Sequence, residues 1–330
     1  MEKVDVLLAT YNGERFLRPL LDSVLGQSHS DLNLIVSDDA SSDGTRDILR
    51  EYAERDRRVK LHFQPKNLGF VRNFEFLLEQ SDAPYVAFAD QDDIWSPGKL
   101  EIMLSVLKTS GKSLAYSDMR RINAKGEVVA ESWFKLKSYP KVSGTAIKAC
   151  AVRHFCAGCS QLFTSSVKRK MLPFKNDVFA HDWLSIFCAS ELMGIIYISS
   201  PLTDYRAHSG NVYGTTVDYA GNVIRRSNGD SSYKGYLEYR RALIEQNHLR
   251  GGRMCRGYSA LGSGLNSSIE YLEKCASAKR FPLMIHGYFM NMRPHGLGLR
   301  MLYELLYLHF PLIHYLVYRR IVKKRKKRAK

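Results

Sequence analysis

Residues 85–100 read YVAFADQDDIWSPGKL. An apolar run, Val86–Ala89, passes directly into three acids, Asp90, Asp92 and Asp93, and a tryptophan and a proline follow. Carboxylates repel one another, so a buried strand that ends in three of them needs a reason beyond folding. Pro97 is suited to a helix start, and Leu100, Met103, Leu104 and Leu107 then repeat at helical spacing. The unit is an apolar strand, a polar end and an amphipathic helix.

The same unit recurs upstream. VDVLLA (Val4–Ala9) reads as a buried strand, is followed by Thr10, Tyr11 and Asn12, and leads to Leu17, Leu20, Leu21, Val24 and Leu25 at helical spacing. LNLIV (Leu32–Val36) runs into Ser37, Asp38 and Asp39, and SSDGT (Ser41–Thr45) is a loop and helix-start signal. VKLHF (Val59–Phe63) is a third strand, with a helix around Phe74–Leu78, and SLAYSD (Ser113–Asp118) is a further strand. This alternation predicts an α/β fold with a mainly parallel central sheet. Such sheets bind ligands at the carboxyl ends of their strands. Here those ends carry Thr10-Tyr11-Asn12, Asp38-Asp39, Asp90-Gln91-Asp92-Asp93 and Asp118. One acidic strand end is an ordinary helix cap; several on one edge predict a site for something cationic or rich in hydroxyls.

Beyond Asn123 the pattern changes. NAKGEVV is a hairpin signal through Lys125-Gly126, and residues 131–155 read as irregular. Ser160–Thr164 reads as a strand, His181–Leu192 as a helix and MGIIYISS after it as a strand. Residues 216–235 are polar and turn-rich and read as a linker between a domain over 1–215 and a mainly helical C-terminal region over 236–330.

The formal charge of +16 is concentrated in that last region, where residues 241–330 hold 18 Lys/Arg against 4 Asp/Glu. Hydrophobic residues make up 45% of the chain, enough to fill a core. The opening MEKVDVLLATYNG has no basic stretch before a long apolar run, so no signal peptide is expected. The six cysteines are too sparse for a disulfide scaffold. Cys156 and Cys159 form a C-x-x-C, but no second pair at zinc spacing accompanies it, so packing is the expected role. A reduced, cytoplasmic protein fits these features.

Neither G-x-G-x-x-G nor G-x-x-x-x-G-K-[ST] follows a strand, and no G-x-S-x-G elbow is present. Carboxylate chemistry remains. A lone D-x-D arises about once by chance in a chain of this size, but Asp90-Gln91-Asp92 ends a strand beside other acidic ends. Hard divalent ions such as Mg²⁺ or Mn²⁺ take one or two carboxylates plus substrate phosphates, and can stabilise a diphosphate leaving group. FAHDWLSIF places Asp182 near a helix start, where a dipole-favoured acid and a general base for an acceptor hydroxyl are both open readings.

The ordered set LLATYNG, LIVSDDASSDGT, NLGFVRNF, YVAFADQDDIW, FAHDWL and YRAHSGN resembles the family 2 glycosyltransferases across roughly residues 1–215. The resemblance implies the GT-A fold and transfer of a sugar from a nucleoside-diphosphate sugar with inversion. It implies that Thr10, Tyr11, Asn12 and Asp39 (rather than Asp38) hold the nucleoside, and that Asn67, Gly69, Arg72 and Asn73 border the nucleotide. Asp90 then approaches the ribose, Asp92 binds a Mg²⁺ or Mn²⁺ ion, and Asp182 is the catalytic base. The family's usual Glu before that base is His181 in this chain, and His208 matches a position that approaches the metal or diphosphate in some relatives. ADQDDIW with YRAHSGN is most similar to the rhamnosyltransferase-type branch, which implies dTDP-rhamnose as donor and a glycan or lipid-linked acceptor in bacterial surface polysaccharide synthesis. Two other readings of the residues are a catalytically degenerate nucleotide-sugar-binding module and a sugar nucleotidyltransferase. The intact D-x-D and Asp182 argue against the first, and the poor match of LLATYNGERF to a basic Gly-rich triphosphate loop argues against the second.

LLYLHFPLIHYLVY (Leu305–Tyr318) lacks Asp, Glu, Lys and Arg but is shorter than the ~20 residues a spanning helix needs. Seven of the final eight residues are basic. Such a pair of segments suits contact with an anionic membrane surface, placing the chain peripherally on the inner face of the cytoplasmic membrane. A core or oligomer helix with a solvated basic tail is the plainer alternative. No aromatic-interleaved basic groove is apparent elsewhere, so nucleic acid is not an expected partner.

Overall fold

The computed structural model describes residues 2–137, 139, 141–146, 155–174, 178 and 180–208. All belong to the first of two compact units, which takes in Met1–Gly214 and Arg253–Ser259. The expected 216–235 linker, the helical region over 236–330 and the basic tail lie outside the described residues.

The first four strands are β1 (Val4–Thr10), β2 (Leu32–Asp38), β3 (Val59–Phe63) and β4 (Tyr85–Asp90). They pair in parallel in the order β3-β2-β1-β4. β1, β2 and β4 are apolar on both faces and nearly wholly buried, as strands covered by helices on either side must be. The covering helices are α1 (Glu14–Leu25), α2 (Thr45–Arg55), α3 (Phe70–Glu79) and α4 (Lys99–Ser110). Leu17, Leu20, Leu21 and Val24 of α1 share one core with Val6, Leu8, Leu34 and Val36 of the sheet and with Leu100 and Met103 of α4. Asp5 at the opposite end of β1 is fully used in folding: it accepts from Ser81 Oγ and from the N–H groups of Asp82 and Ala83, each at 2.9 Å.

Past β4 the sheet becomes mixed. The remaining strands are β5 (Ile94–Trp95), β6 (Leu114–Ile122), β7 (Val128–Ala130), β8 (Gln161–Thr164) and β9 (Ile195–Arg206), continuing the order as β4-β8-β6-β9-β5, with β7 hairpinned onto β6. β8 is antiparallel to both β4 and β6. It starts directly from a short 3-10 turn, Gly158–Ser160, at the carboxyl edge of β4, and without a crossover helix it can only run back down. Three more helices complete the described residues: α5 (Trp133–Lys137), α6 (Ser165–Met171) and α7 (His181–Ser190).

Asp118 departs from its expected place at a strand end. It sits within β6, where Met119 N–H (2.7 Å), Phe134 N–H (3.1 Å) and the Ser132 hydroxyl all donate to it. The acid is consumed in starting α5. β9 is longer than expected, because it continues through Pro201 with register shifts opposite Ser117–Arg120 and pairs its far end with β5. That extension carries Arg206 and His208 back to the acidic loop.

Candidate active site

Parallel register brings the strand ends together. Thr10 pairs with Asp38 and Ala9 with Asp90, so β1, β2 and β4 all finish on one edge. Asp38 is closed to ligands: it accepts from Thr10 Oγ1 (3.2 Å), Ser41 N–H (3.1 Å), the Ser41 hydroxyl and Arg46 Nε (2.6 Å). Asp39 has a different task. Its two oxygens accept the N–H groups of Leu68 (2.7 Å) and Gly69 (2.9 Å), which fixes the loop holding Asn67. Gly69 sits at φ 81°, ψ 151°, a conformation left to glycine, and Asn67 Oδ1 also takes its N–H at 3.0 Å. Asn12, itself at φ 47°, locks the loop after β1 onto Ser41 and Ser42, and the Tyr11 side chain beside it is exposed. Arg72, by contrast, pairs with Glu75 on its own helix and approaches Phe174 O at 3.5 Å rather than turning to the strand-end acids.

The three opening acids part company. Asp92 Oδ2 lies 2.8 Å from His208 Nε2, so two residues 116 positions apart present a carboxylate oxygen and an imidazole nitrogen to one point. Arg206 secures this loop: its Nε donates to Asp92 O at 2.8 Å and its N–H to Asp93 Oδ1 at 3.0 Å, with the guanidinium 4.8 Å from the Phe16 ring. Asp93 is fully buried below. Burial first, then the charges of Asp92 and Asp182, push Asp90 up to about 7, and Asp93 is raised well above the carboxylate range by burial, Asp92 and Asp90. The fully buried Lys99 is the counterweight. Its Nζ donates to Cys159 O and to Thr203 Oγ1 (2.9 Å) and stands 3.6 Å over the Trp95 ring. Burial lowers it to about 7, and Asp93 and Asp90 act against that shift. Both shifts express one fact: these charges are tolerable in the interior only together.

Asp182 occupies the first turn of α7, where the helix dipole favours an acid. Gly158 N–H donates to its Oδ2 at 3.0 Å, and Gln161 Nε2 (2.9 Å) and Ser185 Oγ (2.8 Å) hold its carbonyl. A Cβ at Gly158 would lie 3.2 Å from Asp182 Cβ and 3.6 Å from Phe88 Cβ of β4, so Asp182 stands beside the end of that strand, where its charge helps to raise Asp90. His181 does not stand in for a carboxylate: it is buried, stacked on Phe74 at 3.7 Å and edge-on to Phe88 at 4.7 Å.

Two groups could be read as cation sites. Asp90, Asp93 and Cys159 bring ligand atoms within 4.8 Å of one another. That group already has a cation in Lys99, whose charge couples to all three. The Asp92–His208 pair is partly open to solvent, combines hard oxygen with imidazole nitrogen, and lies against carboxylates whose mutual repulsion a divalent ion would relieve. The donor set therefore fits Mg²⁺ or Mn²⁺ at Asp92 and His208. The residues that sequence reasoning passed over are Lys99, Arg206, Gln91 and Cys159. Two of them, Gln91 and Lys99, stand in the acidic stretch itself, and Arg206 stands two places before His208.

The family description "Glycosyl transferase family 2" matches residues 5–170. A putative teichuronic acid biosynthesis glycosyltransferase, TuaG of Bacillus subtilis, is 38% identical over 114 residues, 34% of this chain and 44% of that protein. The UDP-Glc:alpha-D-GlcNAc-diphosphoundecaprenol beta-1,3-glucosyltransferase WfgD of Escherichia coli is 32% identical over 120 residues, 36% of this chain and 47% of that protein. The chain thus spans less than half the length of these curated relatives. Among solved structures, S. aureus TarS 1-349 in complex with UDP-GlcNAc aligns with a TM-score of 0.51 at 18% identity, over 78% of this chain and 71% of that one. This likeness is one of fold, the GT-A fold.

Proposed function

Because the chain belongs to glycosyl transferase family 2, we propose that it transfers a sugar, with inversion, from a nucleoside-diphosphate sugar to a hydroxyl acceptor. The observation that carries this reading is the meeting of Asp90, the Asp92–His208 pair and Asp182 at the carboxyl edge of the parallel strands. Thr10, Tyr11, Asn12, Asp39 and Asn67 line the nucleoside side of that edge, and Asp90 takes the ribose. Arg72 joins the nucleotide only by leaving Glu75.

Asp182, held by Gly158 N–H, accepts the proton of the acceptor hydroxyl. The acceptor oxygen forms a bond to the anomeric carbon as the bond from that carbon to the diphosphate oxygen breaks, in line and on the opposite face. Asp92 and His208 would hold a divalent ion, which would supply charge neutralisation for the departing diphosphate. Treatment with EDTA is expected to abolish donor binding, and Mn²⁺ to restore it. Asp92→Asn is expected to weaken Mn²⁺ affinity by at least about tenfold, the scale on which even outer-sphere partners act. Titration calorimetry checks both, and Mn²⁺ binding unchanged in Asp92→Asn would remove Asp92 from the site.

The donor is proposed as dTDP-rhamnose on the wording of ADQDDIW and YRAHSGN, and a thermal-shift panel of nucleotide sugars with Mn²⁺ tests it: a larger shift with another sugar reassigns the donor. The acceptor is proposed as a lipid-linked glycan of surface polysaccharide synthesis, in keeping with the diphosphoundecaprenol-linked acceptor in the E. coli relative's name. No helix among the described residues is long and apolar enough to cross a membrane. Contact with the membrane is assigned to the Leu305–Tyr318 stretch and the basic residues after it. The chain is expected to float with anionic liposomes in low salt and to lose this on removal of residues 297–330; flotation unaffected by that truncation would exclude the tail as the contact.

A further inference from the structure

Gln91 lies between the two acids of the D-x-D, and its side chain spans to the loop after β1. Oε1 accepts Tyr11 N–H at 2.9 Å and Nε2 donates to Tyr11 O at 3.0 Å. One primary amide thus closes both main-chain groups of a residue 80 positions away, as a neighbouring strand would. It continues the link between β1 and β4 past their last paired residues, Ala9 and Asp90.

Gly13 gives an independent sign of the same contact. A Cβ there would lie 2.2 Å from Gln91 Oε1 and 2.6 Å from its Cδ. Gly13 has φ −103° and ψ 6°, which other residues adopt readily. Glycine therefore leaves room for the Gln91 amide, which any Cβ at this position would have to displace, and is not required there for backbone freedom.

We propose that Gln91 is a positioning residue that clasps the nucleoside-side loop at Tyr11–Asn12 to the acidic loop at Asp90–Asp92, with Gly13 as the space that admits it. The proposal rests on the glycosyltransferase reading above. A donor gripped at its nucleoside by one loop and at its diphosphate by the other is sensitive to the spacing between them. Asp182 is carried by α7 and is untouched by the clasp. Loosening the clasp therefore acts on donor binding and leaves the chemical step alone.

The test uses the full chain with Gln91→Ala, Gln91→Glu, Gly13→Ala and the Gly13→Ala/Gln91→Ala double variant. Gln91→Glu keeps the shape but sets an oxygen against Tyr11 O. Amide hydrogen exchange at Tyr11 reads the clasp, and calorimetry with UDP and with TDP in Mn²⁺ reads the loops. KM and kcat are measured with the nucleotide sugar that the unaltered chain turns over. All three single variants are expected to speed Tyr11 exchange and to weaken diphosphate binding and raise KM by about tenfold, the scale of two lost hydrogen bonds. Turnover should stay within about twofold, and the double variant should be no worse than Gln91→Ala, because both changes remove one contact. Unchanged Tyr11 exchange in Gln91→Ala overturns the clasp. Faster exchange with unchanged KM and affinity overturns its positioning role. Additive losses in the double variant overturn the role given to Gly13. An unaltered chain that binds neither diphosphate and turns over no nucleotide sugar, while Tyr11 exchange still responds, overturns the glycosyltransferase reading, and the positioning role with it, but not the clasp.

Discussion

Asp182→Asn is expected to lower the rate of sugar transfer by about 10²–10⁴-fold, the usual contribution of a general base, while nucleoside-diphosphate affinity is kept or slightly improved. The substitution keeps the shape and leaves an amide oxygen for Gly158 N–H, which donates to Oδ2 at 3.0 Å. What it removes is a proton acceptor. It also removes a negative charge that helps to raise Asp90, so Asp90 ionises more readily and accepts from the ribose no less well. A purely dipole-favoured acid at the start of α7 would behave differently: its loss would cost about 0.3–1 kcal/mol of stability and leave turnover alone. Turnover and calorimetric affinity measured on one preparation separate the two. Wild-type turnover in Asp182→Asn would end the assignment. Asp182 and His208 both lie beyond the 5–170 match.

The sequence foretold what is local and concealed what is not. Apolar runs marked β1, β2 and β4 almost to the residue, because each is buried on both faces and leaves few polar positions to confuse the pattern; β3 was marked as well, although its Lys60 and Phe63 are exposed. The ends of those runs placed Asp90 at the carboxyl edge of the parallel strands and Asp92 in the loop that follows it. Asp118 looked like another such end, but its donors come from Ser132 and Phe134 on a segment that had no readable pattern. The antiparallel course of β8 depends on how the chain returns, and a four-residue run carries no direction. Pro201 concealed the second half of β9, and with it the route by which Arg206 and His208 reach the acidic loop. C-x-x-C was correctly read as packing, with Cys156 and Cys159 buried as free thiols, yet nothing in its spacing revealed that Cys159 lies beside Asp90 and Asp93.

Lys99, to which the helical periodicity of α4 assigned no role, carries the largest expected effect on stability. Its whole side chain is buried, with Nζ bonded to Cys159 O and Thr203 Oγ1 and set over Trp95. Removing one member of a buried charge group leaves its partners uncompensated, at a cost of about 3–5 kcal/mol. Lys99→Met, close in length and shape, is expected to destabilise the fold by that amount in urea unfolding. Two causes could produce such a loss: the missing charge beside Asp93 and Asp90, or the missing hydrogen bonds to Cys159 and Thr203. A double-mutant cycle with Asp93→Asn separates them. If charge dominates, Asp93→Asn neutralises the acid that Lys99→Met strands, and the double variant recovers about 1–3 kcal/mol relative to the sum of the single changes. If hydrogen bonding dominates, the two losses simply add. The first outcome makes Lys99 the internal cation that lets three acids crowd one strand end before any metal arrives; a loss under about 1 kcal/mol in Lys99→Met would show that the acids are carried some other way.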